Sequence, residues 1–223
     1  MKSKKNNNED AKFLYSGEPI KLTLGTLAVM AFCILLIIIS TFTQFPIVDI
    51  FSLNKGQDVG TLLNDYLSNS FLYSYIPQIP AIFFVIALLD RRYGITTIII
   101  YILLGLFAYP IFGMGGGINY ILEYGFGYIL AYIPGAFITA TIIKHNYHFL
   151  NVLKGVVIGV LAIHLIGVMY MIFISTLFHT TADMISGWIT SQSGIKVFYD
   201  IIFSMFSIYI ANWVRRFLWL IMC

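Results

Sequence analysis

The sequence predicts an all-α membrane protein, a bundle of six transmembrane helices with both termini on the cytoplasmic side. Three observations carry that reading. The chain of 223 residues is 59% hydrophobic and only 10% charged, with a mean hydropathy of +0.87, which is far more apolar than a soluble domain. Its charged residues bracket apolar runs of the length that crosses a bilayer as a helix, about 20 residues. Its Lys and Arg residues also fall almost entirely on one side of those runs.

In chain order, residues 1–20 read as a disordered basic tail, rich in Lys and Asn as far as Lys12. No apolar stretch precedes a small-residue cleavage site there, so the tail is not a signal peptide. A single membrane domain over 21–218 follows. Its first run is 22–45, and a second lies within 73–89. The third covers 93–112, the fourth 125–143, the fifth 152–178, and the sixth 194–214 with Lys196 and Asp200 near its start. Between the first two runs lies the longest polar interruption, 47–72, which is either a lid over an outward-facing cavity or a solvated connector. There is no internal repeat and no soluble domain.

Segments near the spans that stay cytoplasmic are enriched in Lys and Arg. With the amino terminus inside, the inner set is Lys2, Lys4, Lys5, Lys12, Lys21, Arg91, Arg92, Lys144, Lys154, Arg215 and Arg216. Of the 13 basic residues, only Lys55 and Lys196 are left outside. Five or seven spans would strand Arg215 and Arg216, or the first lysines, on the wrong face. Both termini are therefore expected in the cytoplasm, with the chain in the plasma membrane. Cys33 falls mid-span and Cys223 ends the chain, so no disulfide framework is expected.

Polar variety concentrates on the outer side. Residues 93–122 carry no charge, and this run dissolves into a glycine-rich stretch, 109–119. Bilayer hydrocarbon cannot satisfy stray backbone groups, so such glycine is tolerated only where it is buried in protein or lines a cavity. Gly115, Gly116, Gly117 and Asn119 can present backbone donors and an amide to a small polar ligand. Gly125 and Gly127 read better as close helix-packing positions. Tyrosines and Phe112 near the glycines are candidates for lining a pocket, Tyr128 among them. The outer side also receives 179–193, read as a loop, with Asp183 and Gln192. The inner connections, 90–92 and 144–151, are short.

Asp200 is the sharpest single residue. A carboxylate about two turns into a span is costly and faces a polar cavity or partner; alternatively the span starts later and Asp200 sits at the interface. Lys196, four residues earlier, shares its helical face and can pair with it. Gln78 lies between Pro77 and Pro80. That element is either a broken helix end of the kind that builds membrane binding sites or a plain helix start with proline in the first turn.

Of the four histidines, His145 and His148 lack an acidic neighbour, and His179 with Asp183 gives two ligands, which do not make a metal site. No metal and no cofactor is expected. His164, inside the fifth run, suits a hydrogen bond to a neighbouring helix. No nucleophile, zinc-hydrolase or phosphate-loop motif is present, so an enzyme is not expected, nor is a nucleic-acid partner. An intramembrane enzyme using Asp200, or His179 with Asp183, is a distant alternative, and a purely structural scaffold is another. Uphill transport would need an ATPase on another chain, or an ion gradient.

Over about 75–140 the chain resembles the BioY-type substrate-binding (S) subunits of energy-coupling-factor transporters, which capture biotin. The likeness runs through Pro77-Gln78, Gly105-Leu106, Pro110-Ile111-Phe112, the glycines 115–117 and Gly127-Tyr128-Ile129-Leu130. Beyond that stretch Asp200 resembles the family's acidic residue on its sixth helix. The resemblance implies an S subunit that takes biotin from the outer face. It implies delivery inward with a transmembrane coupling subunit and cytoplasmic ATPases. An S subunit for another small vitamin is the nearest alternative.

On this resemblance Asp200 and an amide, Asn119 or Gln78, would meet the ureido ring. Phe112 and Tyr128 would flank the bicycle, and Lys196 or glycine amides would take the valerate carboxylate; the ligand reversed end to end is equally consistent. The family commonly places a lysine three residues after the acid, where this chain has Phe203. Position −4 lies about 20° from position +3 around the helix axis, so Lys196 can supply that cation one turn further out. In place of the family's Ala-x-x-x-Ala coupling face, this chain has Gly25, Ala28 and Ala31.

Overall fold

The computed structural model describes residues 23–48, 72–144, 146–179 and 181–222. The expected tail over 1–20 and nearly all of the loop over 47–72 lie outside the described residues, as do Lys21, Lys55, His145 and Cys223.

Helix α1 spans Leu24–Phe42, started by the Thr23 side chain accepting from the Thr26 amide. Strands β1 (Phe45–Val48) and β2 (Leu72–Tyr75) pair antiparallel, Phe45 opposite Tyr75. Helix α2 covers Gln78–Phe107 and is broken at Asp90. A 3-10 helix, Ile118–Leu122, leads into α3 (Phe126–Ile143). Helices α4 (Phe149–Leu177), α5 (Ala182–Ser193) and α6 (Lys196–Met222) complete the chain.

The apolar runs are helical as expected, and the departures have local causes. Residues 45–48 and 72–75 pair as strands, so the first helix ends at Phe42 and the next begins only at Gln78. Proline at positions 46 and 77 suits an edge strand and a helix entry. The third run stops being helical at Phe107, before Pro110. The stretch read as an outer loop over 179–193 is mostly the helix α5.

The second and third runs form one element that folds back on itself. Asp90 has φ 66 and ψ 172, a conformation that L side chains rarely adopt. Residues 78–89 and 91–107 then run antiparallel. Gly94 is so close to Ile86 that a Cβ would lie 3.1 Å from its Cα. Tyr101, near the far end, returns to within 2.9 Å of the Gln78 amide.

Four helical stretches among the described residues are long and apolar enough to cross a membrane: Leu24–Phe42, Phe126–Ile143, Phe149–Leu177 and Ala182–Phe217, the last containing α5 and most of α6. The two arms of α2, expected as the second and third spans, are not in that set. Large apolar side chains face outward along α1 (Leu35, Ile39) and α4 (Leu161, Leu165, Met169, Phe173), as a lipid-facing surface requires. Helices α3 and α4 approach closely through small residues: Thr139 donates to the Gly155 carbonyl at 2.9 Å, and a Cβ on Gly159 would fall 2.0 Å from the Thr139 hydroxyl.

The bundle has two polar ends. At one, Arg215 of α6 pairs with Asp90, Arg91 lies over the Phe137 ring, and the Tyr147 hydroxyl donates to the Ala87 carbonyl. At the other, the starts of α2 and α6 enclose a cavity.

Candidate ligand-binding cavity

The cavity holds about 330 Å³ and is bounded by Thr41 of α1 and Gln44 just after it, Tyr75 of β2, Gln78 of α2, Tyr128 and Tyr132 of α3, His164 of α4, Trp188 and Gln192 of α5, and Lys196 and Asp200 of α6. That volume is at the small end of the range for small-molecule sites, about 300–1,000 Å³. Every helix of the bundle contributes to its wall.

Asp200 is buried, and both carboxylate oxygens are engaged. The Tyr75 hydroxyl donates to Oδ1 at 2.7 Å, and His164 Nε2 lies 3.0 Å from Oδ2. A buried carboxylate needs such partners, because desolvation costs several kcal/mol when nothing replaces water. The hairpin delivers Tyr75: Ile47, Tyr75 and Ile195 form a small buried cluster with Tyr199 against it. Tyr75 also packs on Phe203, ring centroids 5.4 Å apart. Burial and, after it, the neighbouring Asp200 charge push the Tyr75 hydroxyl above its usual range, so it stays a donor.

The second polar group on the wall centres on Gln78. Its amide nitrogen donates to Thr41 Oγ1 and to the Tyr101 hydroxyl, both at 2.9 Å. Its carbonyl accepts from the Tyr132 hydroxyl at 2.7 Å. Thr41 in turn donates to the Ile37 carbonyl. Both readings of this element hold at once: Pro77 sits at the helix entry and Gln78 lines the cavity. With both amide hydrogens used, Gln78 keeps only acceptor capacity for anything else.

Lys196 lines the same cavity as Asp200, yet Asp200 Oδ1 and Oδ2 are held by Tyr75 and His164 rather than by the ammonium. Among the described residues Lys196 makes no ion pair. Tyr128 lines the cavity too, its hydroxyl 2.6 Å from Ser193 Oγ.

The remaining sequence candidates lie elsewhere. Phe112 is fully buried, packed between Tyr101, Tyr120 and Phe126. Its ring fills the space over Gly105, where a Cβ would sit 2.1 Å from it. It supports the wall from behind. Asn119 is exposed and outside the lining, because it falls in the 3-10 helix with Tyr120 turned inward.

Gly115, Gly116 and Gly117 are also outside the lining, which takes Gly113 and Met114 instead. The Gly115 amide closes a tight turn onto the Phe112 carbonyl, and the Gly117 amide donates to the Gly105 carbonyl at 2.8 Å. Two of the expected ligand donors are thus spent on the fold. Gly115 and Gly117 have φ of 126° and 90°, which explains the glycines as backbone rather than binding residues. Gly127 is a packing position, against Tyr170, whereas Gly125 borders the cavity.

Tyr75, Tyr132, His164, Trp188 and Thr41 were not singled out as site residues by the sequence. His164 carried the one usable signal, a polar ring inside an apolar run.

A family model described as the BioY family matches residues 74–219. A curated relative, the probable biotin transporter BioY of Lysinibacillus sphaericus, is 30% identical over 105 residues, covering 45% of this chain and 52% of that protein. The chain therefore spans about half the length of the curated relative it matches. Among solved structures, the S-component for biotin from an ECF-type ABC transporter aligns with a TM-score of 0.53 and 20% identity, covering 90% of this chain and 95% of that one. That alignment establishes a shared fold.

Proposed function

The chain belongs to the BioY family, and from that premise we propose that it is the substrate-binding membrane subunit of a biotin uptake transporter. It takes biotin into the cavity between α2, α3, α4 and α6, from the side opposite Arg91 and Arg215. It releases biotin to the cytoplasm in company with a transmembrane coupling subunit and cytoplasmic ATPases. Both termini are cytoplasmic in this reading, and the membrane is the plasma membrane. Its role is binding and not catalysis.

The observation that carries the proposal is one wall holding a buried acceptor, Asp200, together with a cation that makes no ion pair among the described residues, Lys196. Biotin presents two ureido N–H donors at one end and a carboxylate at the other. Asp200 has acceptor capacity beyond its bonds to Tyr75 and His164, since an ionised carboxylate offers about four lone-pair sites. The Lys196 ammonium complements the valerate carboxylate. The rings of Tyr128, Tyr132 and Trp188 supply the apolar surface that the bicycle needs.

Equilibrium titration of the purified full chain with labelled biotin tests this, repeated with Asp200→Asn. Saturable binding that the substitution weakens at least tenfold is expected. No saturable binding in the unsubstituted protein, or tight binding of a different vitamin that biotin does not displace, overturns it.

A further inference from the structure

Among the described residues of α4, His164 alone lines the cavity, and its two ring nitrogens serve two other helices. Nε2 faces Asp200 Oδ2 on α6 at 3.0 Å. Nδ1 faces Ser193 Oγ, the last residue of α5, at 2.9 Å. Ser193 Oγ is itself 2.6 Å from the Tyr128 hydroxyl on α3. The Tyr128 ring meets the imidazole edge-on, centroids 5.7 Å apart at 75°. Four helices are joined by one chain of polar atoms.

The direction of the chain follows from its acceptor end. An ionised carboxylate only accepts, so Nε2 carries a hydrogen toward Asp200. With the ring neutral, Nδ1 accepts from the Ser193 hydroxyl, whose oxygen is then left to accept from Tyr128. Every donor has one acceptor and none is duplicated. An acid, an imidazole and a serine in this order resemble a nucleophilic triad. However, Ser193 is not among the lining residues and its oxygen is already taken by Tyr128. The chain transmits position, as outer partners of a ligand-contacting group do elsewhere.

Helix α5 rests on the core only through partly buried side chains, Trp188 and Ile189. None of its residues is buried, and its first turn has no side-chain cap. Gly187 lies mid-helix, where glycine weakens the element. Yet α5 supplies Trp188 and Gln192 to the cavity wall, with Trp188 resting on Tyr124 at 5.8 Å.

We propose that His164 is a positioning residue of the cavity: a latch that ties the end of α5 to the Asp200 carboxylate and so seats Trp188 and Gln192 over the site. A ligand group that hydrogen-bonds to Asp200 is thereby coupled to α5 through one imidazole. The ligand named in the test rests on the biotin reading; the latch itself does not.

The experiment uses the full chain with Trp213→Phe and Trp219→Phe, which leaves Trp188 as the single reporter of the 3 tryptophans. His164→Ala, Ser193→Ala and His164→Gln are compared. Without biotin, hydrogen exchange over 182–193 is expected to rise at least threefold in His164→Ala and Ser193→Ala and to stay put over 91–107. His164→Gln, whose amide offers a donor and an acceptor, should restore protection. With biotin, Trp188 emission should shift on binding in the parent and in His164→Gln, and lose that shift in His164→Ala, with affinity down at least tenfold.

Unchanged exchange over 182–193 in both alanine variants overturns the proposal. A rise spread evenly over all helices overturns it too, since His164 would then be a general packing residue. If the parent binds no biotin while exchange over 182–193 responds as stated, the latch is supported and the ligand assignment falls instead.

Discussion

The ring of Tyr128 lies directly against the backbone of Gly167, where a Cβ would come within 2.5 Å of ring carbon Cδ1. That contact fixes the ring between α3 and α4 with its hydroxyl at Ser193. Gly167→Ala must move either the ring or the helix. Overpacking of this kind costs about 1–3 kcal/mol. A fall in thermal stability in detergent together with weaker biotin binding is expected; an unchanged melting temperature would contradict the packing described.

Tyr75→Phe keeps the ring and removes one donor from Asp200. Hydrogen bonds to charged groups contribute about 1.5–3 kcal/mol, so chemical denaturation should show a loss in that range. If biotin engages the same carboxylate, its affinity should change as well, by about tenfold for each 1.4 kcal/mol. A Tyr75→Phe protein as stable as the parent would show that His164 alone holds Asp200.

Lys196→Ala separates the two ends of the ligand. Biotin should bind at least tenfold more weakly, while an uncharged biotin amide should bind the parent and the variant alike. Equal losses for both ligands would place Lys196 away from the valerate carboxylate.

Gln78 and Asn119, both amides expected to contact ligand, should now behave differently. Gln78→Leu strands the Tyr132 hydroxyl and removes the amide donor that Thr41 and Tyr101 share, at about 1–3 kcal/mol for an unsatisfied buried group. Asn119→Ala, at an exposed position, should stay within about 0.5 kcal/mol and leave biotin binding intact. Thermal unfolding and titration of the pair decide it.

Asp90 combines a backbone suited to glycine with an ion pair to Arg215. Asp90→Ala loses the pair and keeps the strain, whereas Asp90→Gly loses the pair and relieves the strain, which is of order 1–3 kcal/mol. The glycine variant should unfold at the higher temperature of the two. The reverse order would mean that the turn at 90 is not strained.

Features set by local composition were readable in the chain: apolar runs between charges, and a carboxylate inside one of them. Asp200 stood out because it is expensive where it is. Tyr75, His164 and Ser193 did not, because their roles come from hydrogen bonds spanning 125, 36 and 29 positions in sequence. The strand pairing of 45–48 with 72–75 was masked by its position at the ends of apolar runs. Helix α5 was read as a loop because its composition is polar, with a glycine at its centre. The triple glycine was correctly seen as irregular backbone, but composition cannot say which way an amide points. Here the Gly115 and Gly117 amides are bound to the Phe112 and Gly105 carbonyls.

Helix α6 carries Asp200 near one end and Arg215 near the other, and between them the Ser207 hydroxyl grips the Pro80 carbonyl at 2.6 Å. A continuous helix behaves as a stiff rod over such a length. Tilting it about that grip would swing the two charged ends in opposite directions, so loosening the Asp90 clasp at one end of the bundle would shift the acid in the cavity at the other. With that grip held, α6 would act as a lever whose fulcrum is Ser207.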